Sequence, residues 1–373
     1  MNLERNIKDN LIDFNRGTYV KEEENEDEGQ KDYLDCSLGV NPFGPPKQIN
    51  KILRTKEFQE IDPSQYPQPY HENLKKEITK YWKKRTNQEL YNQIRVGSGS
   101  MGILEKINKF LINDQTKVLG ITPQFSEYIT EIKVSSGRYD SLKLKPENKF
   151  KILTKKFIKK IEKIKPNIVY IDNPNNPTGQ LIKLKDLKKL LEKARETNSI
   201  VIVDEAYMDF VGNEDSAINL IKDYENLIVI RSFSKGSGMA GLRVGYAVLS
   251  KKLVKYYDKV NLPFQISKTS SYIVRKILEN HHDQYLTKVR TKISEEKQKL
   301  IKELQKNYQI SKTHPKTPIL LIGTKNKDKD LAEILKEKRI LTESGKDFED
   351  LSQNYVRIRI PKKSETLLKK LNK

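Results

Sequence analysis

Cysteine and histidine are scarce in this sequence: Cys36 and four histidines stand among 373 residues. A single cysteine cannot form an internal disulfide, which fits a reducing cytoplasm, and the scattered histidines form no cluster at metal-ligand spacing. No apolar run approaches the roughly 18 residues of a membrane span, and residues 1–8 lack the apolar core of a signal peptide. The sequence therefore predicts a cytoplasmic protein with no metal site and no membrane contact.

Acidic residues are outnumbered, since 71 lysines and arginines against 50 aspartates and glutamates give a formal net charge of +21. A nucleic-acid partner is one interpretation of this charge. Most of the cations, however, are lysines at spacings typical of a solvated helix face, as at residues 155–160 and 188–189, and they form no arginine-and-aromatic stripe. We therefore expect no nucleic-acid partner, and we interpret the acidic run at residues 22–28 as a solvated loop.

The most informative segment is residues 232–243, which reads Ser-Phe-Ser-Lys-Gly-Ser-Gly-Met-Ala-Gly-Leu-Arg and follows an apolar strand candidate. A lysine close to a strand end can be desolvated, which lowers its pKa and makes its amine a nucleophile toward a carbonyl. The hydroxyls of Ser232 and Ser234 and the guanidinium of Arg243 can hold a phosphate beside Lys235. The segment therefore predicts an aldehyde cofactor with a phosphate tail, which is pyridoxal 5'-phosphate.

Two further motifs precede this segment, each directly after an apolar run. Asn-Pro-Asn-Asn-Pro-Thr-Gly occupies residues 173–179, and Asp-Glu-Ala-Tyr occupies residues 204–207. In this order, Asn-Pro-Thr-Gly, Asp-Glu-Ala-Tyr and Ser-x-Ser-Lys-x-x-x-x-Ala-Gly-x-Arg resemble the class I/II aminotransferases of fold type I. The chain is most similar to their histidinol-phosphate aminotransferase branch, which has threonine-phosphate decarboxylase as a near relative. The resemblance runs from about residue 34 to residue 359.

Short apolar runs alternate with amphipathic helical segments from about residue 94 onward. The strand candidates are residues 94–96, 117–121, 168–171, 200–203, 227–230 and 246–249. This alternation predicts an α/β fold with a mostly parallel, doubly wound sheet, in which ligands collect at the carboxyl ends of the strands. Asn176, Asp204 and Lys235 all follow strand candidates. The resemblance implies the aspartate-aminotransferase-like form of this fold.

The texture of the sequence changes after residue 261. A lysine-rich helical stretch covers residues 267–308, and short strand candidates follow at 318–322 and 355–360. A chain of this length exceeds the size of most single cores. We expect a large cofactor-binding domain at residues 61–260 and a smaller α+β domain at residues 261–373. The resemblance implies that residues 1–60 belong in part to the small domain.

The resemblance implies a role for each residue around the cofactor ring. Lys235 would form a Schiff base with the cofactor and, once released by substrate, move a proton as a free amine. Asp204 would pair with the pyridine nitrogen and keep the ring cationic. Tyr207 and Asn176 would contact the cofactor's 3' oxygen, and Phe125 would stack on the ring.

The phosphate and the second subunit are assigned in the same way. A glycine-rich turn at residues 97–102 precedes a helix predicted to begin near Ile103, and the amides of Ser100 and Met101 would bind the phosphate together with Ser232, Ser234 and Arg243. Tyr66 stands where relatives place a tyrosine that reaches the neighbouring subunit's cofactor. The resemblance therefore implies a homodimer with shared active sites.

Substrate recognition is predicted at the C-terminal end of the chain. Arg357 matches the arginine that binds a substrate α-carboxylate, and Arg359 is a nearby alternative on the same strand face. Asn41 and the backbone near Gly39 could line the same pocket. Relatives that handle phosphorylated substrates often carry an arginine where this chain has Thr342-Glu343. A glutamate there would repel a substrate phosphate and could favour a basic side chain.

The sequence thus predicts a pyridoxal-phosphate-dependent aminotransferase that moves an amino group from an amino acid to a 2-keto acid. A decarboxylase on the same scaffold is the first alternative, because small shifts of the carboxylate decide which bond at Cα breaks. A cofactor-binding regulator or nucleic-acid binder is the second. Such regulators carry an extra DNA-binding domain, for which this chain has no spare length.

Overall fold

The computed structural model describes residues 4–12, 14–16 and 32–372, so the acidic run at residues 22–28 lies outside the described residues. The strands are β1 (Leu34–Asp35), β2 (Ile94–Gly97), β3 (Lys117–Thr122), β4 (Arg138–Lys143), β5 (Ile168–Asp172), β6 (Ile200–Asp204), β7 (Leu227–Ser232), β8 (Gly245–Leu249), β9 (Gln309–Ile310), β10 (Ile319–Gly323), β11 (Ile340–Leu341), β12 (Glu343–Ser344) and β13 (Tyr355–Arg359).

The helices run between and around these strands. They are α1 (Asp9–Ile12), α2 (Ile49–Ile52), α3 (Lys56–Gln59), α4 (Glu72–Thr86), α5 (Gly99–Leu111), α6 (Ser126–Val134), α7 (Thr154–Ile164), α8 (Leu184–Glu196), α9 (Met208–Val211), α10 (Lys251–Val260), α11 (Lys268–Asn280), α12 (His282–Leu304), α13 (Leu331–Glu337) and α14 (Ser364–Leu371). Among the helices described, none is both long enough and apolar enough to cross a membrane.

A seven-stranded sheet in the order β2-β8-β7-β6-β5-β3-β4 forms the centre of the fold. Only β8 runs antiparallel to its neighbours, and the pairs from β7 to β4 are parallel. Strands β5, β7 and β8 are buried along their whole length, because helices cover both faces of such a sheet. The prediction of a mostly parallel, doubly wound α/β sheet is confirmed.

Alternate residues of the central strands contribute to two separate apolar cores. Val169 and Val201 face a core that also contains Trp82, whereas Tyr170 and Ile202 face a core on the other side of the sheet. This follows from the two-residue period of a strand, which directs successive side chains to opposite faces. The sheet therefore lies between two apolar cores, one on each face.

Three central strands end on polar residues at this edge. β5 ends at Asp172, β6 at Asp204 and β7 at Ser232, and Asp172 and Asp204 are direct neighbours in the β5–β6 register. The parallel pairing thus brings segments from distant parts of the sequence to one edge.

The C-terminal part forms a four-stranded sheet in the order β12-β13-β10-β9. The N-terminal strand β1 pairs in parallel with β11, and Arg359 donates its backbone N–H to the carbonyl of Cys36. Residues near the start of the chain therefore lie against the strand that carries Arg357. On β12, Glu343 stands directly opposite Arg357 in the antiparallel register.

The structure differs from the sequence prediction in local detail. Helix α5 begins at Gly99 rather than near Ile103, so Ser100 and Met101 lie in its first turn. The stretch predicted as helical over residues 267–308 is two helices, which meet at His281. Strand β4 was not predicted, because its sequence is largely polar and it pairs only with β3 at the edge of the sheet.

Candidate active site

Two buried carboxylates stand side by side at the carboxyl edge of the sheet. Asp204 accepts hydrogen bonds from the Ala206 backbone N–H (2.9 Å) and the Tyr170 hydroxyl (3.3 Å). Burial raises the pKa of Asp204 to about 7, and the neighbouring Asp172 adds to the shift. Asp172 itself, with a pKa raised to about 6 by burial, accepts hydrogen bonds from the side chains of Gln124 and Asn175. A carboxylate in this position favours a cationic partner.

Lys235 follows β7 in a turn that the N-terminal segment holds. Its Nζ lies 5.8 Å from the centroid of the Tyr207 ring. Burial lowers the pKa of Lys235 to about 8, helped by the positive charges of Arg357 and Arg243. Asn41 donates from Nδ2 to the carbonyl of Gly236 at 2.8 Å, so the predicted substrate residue contacts the turn that carries the lysine.

Tyr207 and Asn176 reach the same space from different loops. Tyr207 precedes α9 and is 5% exposed. Gly39 lies so close to it that an added Cβ would overlap the Tyr207 hydroxyl. Asn176 donates its backbone N–H to Asp172 Oδ2 at 2.8 Å. Asn176 therefore has its backbone fixed by the carboxylate at the end of β5.

The start of α5 forms the end of the site that offers donors for a phosphate. Gly99 has φ +67°, and a Cβ added there would stand 2.8 Å from Arg243 Nη2. Arg243 donates from Nη1 to Ser234 Oγ at 3.4 Å, and Ser232 Oγ accepts the Ser234 backbone N–H at 3.1 Å. A helix N-terminus, a guanidinium and two hydroxyls here offer the donors that bind an anion.

Arg357 lies at the junction of the C-terminal sheet and the strand-end loops. Its Nη1 donates to Asn176 Oδ1 at 3.0 Å and its Nη2 to the Ser37 carbonyl at 2.6 Å. Glu343 Oε1 is 3.4 Å from the same Nη2. Arg359 instead pairs with Asp35 Oδ2 at 2.9 Å. Of the two candidate arginines, Arg357 is therefore the one that contacts the residues of the cleft.

One cleft collects six of the predicted residues and has about 400 Å³ of empty space, part of which is open solvent at its mouth. Its lining consists of Ser100, Phe125, Asp172, Pro174, Asn176, Asp204, Ala206, Tyr207 and Lys235. Met101 lies half-buried in the first turn of α5. Tyr66 stands outside the cleft, 79% exposed and packed against the ring of Phe264 at 4.8 Å between centroids.

Sequence reasoning missed three groups of this site. Asp172 follows an apolar run as Asp204 does, so its position at a strand end was a signal that could have found it. The Ser37 carbonyl is a backbone group in a region without a motif, and no signal in the sequence pointed to it. Pro174 stands inside the motif at residues 173–179, but the motif gave it no role of its own.

Comparison with known proteins now identifies the family, because the family described as aminotransferase class I and II matches residues 31–373. The chain belongs to this family. A histidinol-phosphate aminotransferase of Thermoanaerobacter pseudethanolicus is 36% identical over 292 residues, which are 77% of each chain. The crystal structure of the histidinol-phosphate aminotransferase from Clostridium acetobutylicum matches with a TM-score of 0.78 and 27% identity, over 91% of this chain and 98% of that chain.

The L-threonine-O-3-phosphate decarboxylase from Porphyromonas gingivalis matches with a TM-score of 0.74 at 22% identity, over 90% of this chain and 99% of that chain. A likeness at this identity shows a shared fold alone. Membership of the class I and II family confirms the prediction of a pyridoxal-phosphate-dependent aminotransferase and leaves the decarboxylase alternative with less support.

The residues of the cleft fit the cofactor of this aminotransferase family. Asp204 is a buried carboxylate whose raised pKa calls for a cationic partner, which a protonated pyridine nitrogen would supply. Gly99, next to Ser100, has no Cβ, and the Arg243 guanidinium can therefore lie against the start of α5. The site therefore offers a counterion for a ring cation and donors for a phosphate.

Proposed function

We propose that the cleft around Lys235 transfers an amino group from an amino donor to a 2-keto acid, with each predicted residue acting on a defined part of cofactor or substrate. The observation that carries this proposal is the shared lining of one cleft by Lys235, Asp204, Asn176, Tyr207 and Ser100. These residues come from four separate segments of the chain. Pyridoxal phosphate, when bound, supplies an electron sink for the substrate's Cα.

Lys235 is the residue that would be linked covalently to the cofactor and that would later move the substrate's Cα proton. With its pKa lowered to about 8, roughly a tenth of the Lys235 amine is neutral at pH 7, far more than for an ordinary lysine, and attack on an aldehyde carbon requires this neutral form. Once the substrate amine has taken its place, Lys235 Nζ would be free to accept the proton from the substrate's Cα and to return it to C4' of the cofactor. Asn41 supports this role by holding the backbone of Gly236 at 2.8 Å.

Asp204 orients the ring and stabilises its positive charge, while Phe125 holds the ring face. Phe125 precedes α6, lines the cleft and packs against the core beneath it. Tyr207 and Asn176 donate hydrogen bonds toward the 3' oxygen of the cofactor. Hydrogen bonds to that oxygen help set the pKa of the nitrogen that joins the cofactor to Lys235. Ser100, Met101, Ser232, Ser234 and Arg243 bind the phosphate.

Arg357 binds the substrate carboxylate through its guanidinium, and Gly39 lines the pocket beside it. The hydrogen bond from Arg357 Nη1 to Asn176 Oδ1 supports this role, because it directs the guanidinium toward the ring-binding residues. Histidinol phosphate is the first donor to test, since the relatives bear that name. The acidic Glu343 beside Arg357 argues for a second set of donors without a phosphate.

We also propose that two copies share their active sites in the cytoplasm. Tyr66, Tyr70, Leu262 and Phe264 are exposed apolar side chains, and the Phe264 backbone N–H donates to Pro69 at 2.9 Å, so the two segments adjoin. Such a patch is typical of an interface. The single cysteine, Cys36, cannot form an internal disulfide, which supports a reducing compartment.

An absorbance screen tests the proposed function. Protein loaded with pyridoxal phosphate is mixed with histidinol phosphate, phosphothreonine or unphosphorylated amino acids, and the visible cofactor band is followed. The correct donor should bleach the band, and a 2-keto acid should restore it without release of carbon dioxide. Carbon dioxide release without dependence on a keto acid would instead establish the decarboxylase, and a band that no donor changes would refute amino transfer at this cleft.

A further inference from the structure

The Arg357 guanidinium is paired with the carboxylate of a second buried side chain, Glu343. The two residues are direct cross-strand partners on β12 and β13, and such partners project from the same face of a sheet. Glu343 Oε1 lies 3.4 Å from Arg357 Nη2, and the two side chains are 5% and 2% exposed. A carboxylate of the protein therefore already stands at the proposed carboxylate-binding group.

A substrate carboxylate at Arg357 would have Glu343 as its neighbour. Arg357 Nη1 donates at 3.0 Å to Oδ1 of Asn176, which lines the cleft. Its other terminal nitrogen, Nη2, donates to the Ser37 carbonyl. Two carboxylates that share one buried guanidinium repel each other, and the usual resolution is that one of them takes up a proton.

The charges around Glu343 allow that change close to neutral pH. Burial is the largest influence and raises the pKa of Glu343 to about 7. Arg357 on β13 and Lys235 after β7 oppose this shift, whereas Asp347, in the turn after β12, and Asp35 on β1 add to it. Charged groups from four elements thus act on one carboxyl group.

We propose that Glu343 is a specificity-determining residue that couples carboxylate binding at Arg357 to the uptake of one proton. The inference rests on the role proposed above for Arg357. With Glu343 protonated, the guanidinium keeps its net positive charge and binds a carboxylate. With Glu343 ionised, the pair is close to neutral and favours a substrate whose recognised end is uncharged or cationic. One site can then serve two substrates of different charge, as amino transfer between unlike partners requires.

Calorimetric titration of the cofactor-loaded protein with succinate tests the coupling. Succinate presents carboxylates but has no amine to react, and two buffers with different ionisation enthalpies report the number of protons taken up. We expect the wild type to take up nearly one proton per succinate at about pH 8 and to bind roughly twentyfold more weakly at about pH 8.5 than at about pH 6.5. Glu343→Gln should take up nearly one proton fewer per succinate than the wild type, and its affinity should depend less on pH.

The matched control is Glu365→Gln, which removes an exposed glutamate of α14 and should behave as the wild type. Proton uptake that is as large in Glu343→Gln as in the wild type, or that is absent from the wild type, would overturn the inference about Glu343. The wild-type measurement stands even where the variant folds poorly. If Arg357→Lys binds succinate as tightly as the wild type, the assignment of Arg357 fails instead, and this inference fails with it.

Discussion

Replacement of Asp204 by asparagine should stabilise the cofactor-free protein and weaken its response to the cofactor. The substitution preserves shape, since the side-chain oxygen can still accept the Ala206 backbone N–H and the amide can face the Tyr170 hydroxyl. It removes a carboxylate that burial disfavours. The difference between the ordinary pKa of 3.8 and about 7 corresponds to about 4 kcal/mol against the charged form.

The pH dependence of this effect has a definite sign. Because folding raises the pKa of Asp204, the folded state holds more protons than the unfolded state between pH 3.8 and about 7. The free energy of unfolding of the wild-type apoprotein therefore falls as the pH rises through that range. Asp204→Asn should be about as stable as the wild type at pH 4 and more stable, by up to about 4 kcal/mol, above pH 7.

Pyridoxal phosphate should reverse this order. A protonated ring nitrogen would offset the burial of the Asp204 carboxylate, so the cofactor should raise the urea midpoint of the wild type far more than that of the variant. Urea unfolding at several pH values measures the urea midpoint of each of the two proteins, with and without cofactor. Asp114→Asn, which changes an exposed acid after α5, is the control. Identical apoprotein profiles for variant and wild type would refute the reasoning about the buried charge.

Three further predictions concern the other parts of the cleft. Gly99→Ala should weaken cofactor affinity by about tenfold or more in an absorbance titration, because the added Cβ meets Arg243 at 2.8 Å on a backbone with φ +67°; Gly241→Ala, which has open space around it, should not. Gly39→Ala should lower kcat by displacing the Tyr207 hydroxyl, with an effect similar to that of Tyr207→Phe, and equal kcat in Gly39→Ala and wild type would contradict that contact. The rate of cofactor attachment to the apoprotein should reach half of its maximum near pH 8, where Lys235 loses its proton, and a midpoint above pH 10 would show that the amine is not desolvated.

The sheet could be predicted from the sequence because its central strands are buried on both faces. Continuous apolar runs at β5, β6 and β7 need no partner to be recognised, and their polar ends mark the edge at which ligands bind. Strand β4 could not be predicted in this way. Its polar sequence, Arg-Tyr-Asp-Ser-Leu-Lys, is compatible with an edge strand or a loop, and only the pairing with β3 decides between them.

The residues of the candidate site could be predicted where a local motif contains them, and could not be predicted where they depend on packing between distant segments. Lys235, Asp204 and Asn176 belong to local motifs, so they could be named from the sequence. The Ser37 carbonyl and the contact between Asn41 and Gly236 depend on how the N-terminal segment packs against residues nearly 200 positions or more away. The domain boundaries at residues 60 and 260 stay predictions.

Glu343 illustrates what a sequence can and cannot say. Its acidic side chain near the substrate was predicted to repel a phosphate, but its cross-strand pairing with Arg357 follows from the register of β12 and β13. That register is set by the turn between these two consecutive strands and by the packing of their side chains, and the residue types around Glu343 and Arg357 do not reveal it by themselves.

Borohydride reduction of the freshly isolated, cofactor-loaded protein tests the central claim most directly. Reduction traps a Schiff base as a stable secondary amine, and a peptide map then locates it. The account predicts a pyridoxyl group on the peptide that contains Lys235, and its loss in Lys235→Ala. An unlabelled Lys235, or a label confined to other lysines, would contradict the account.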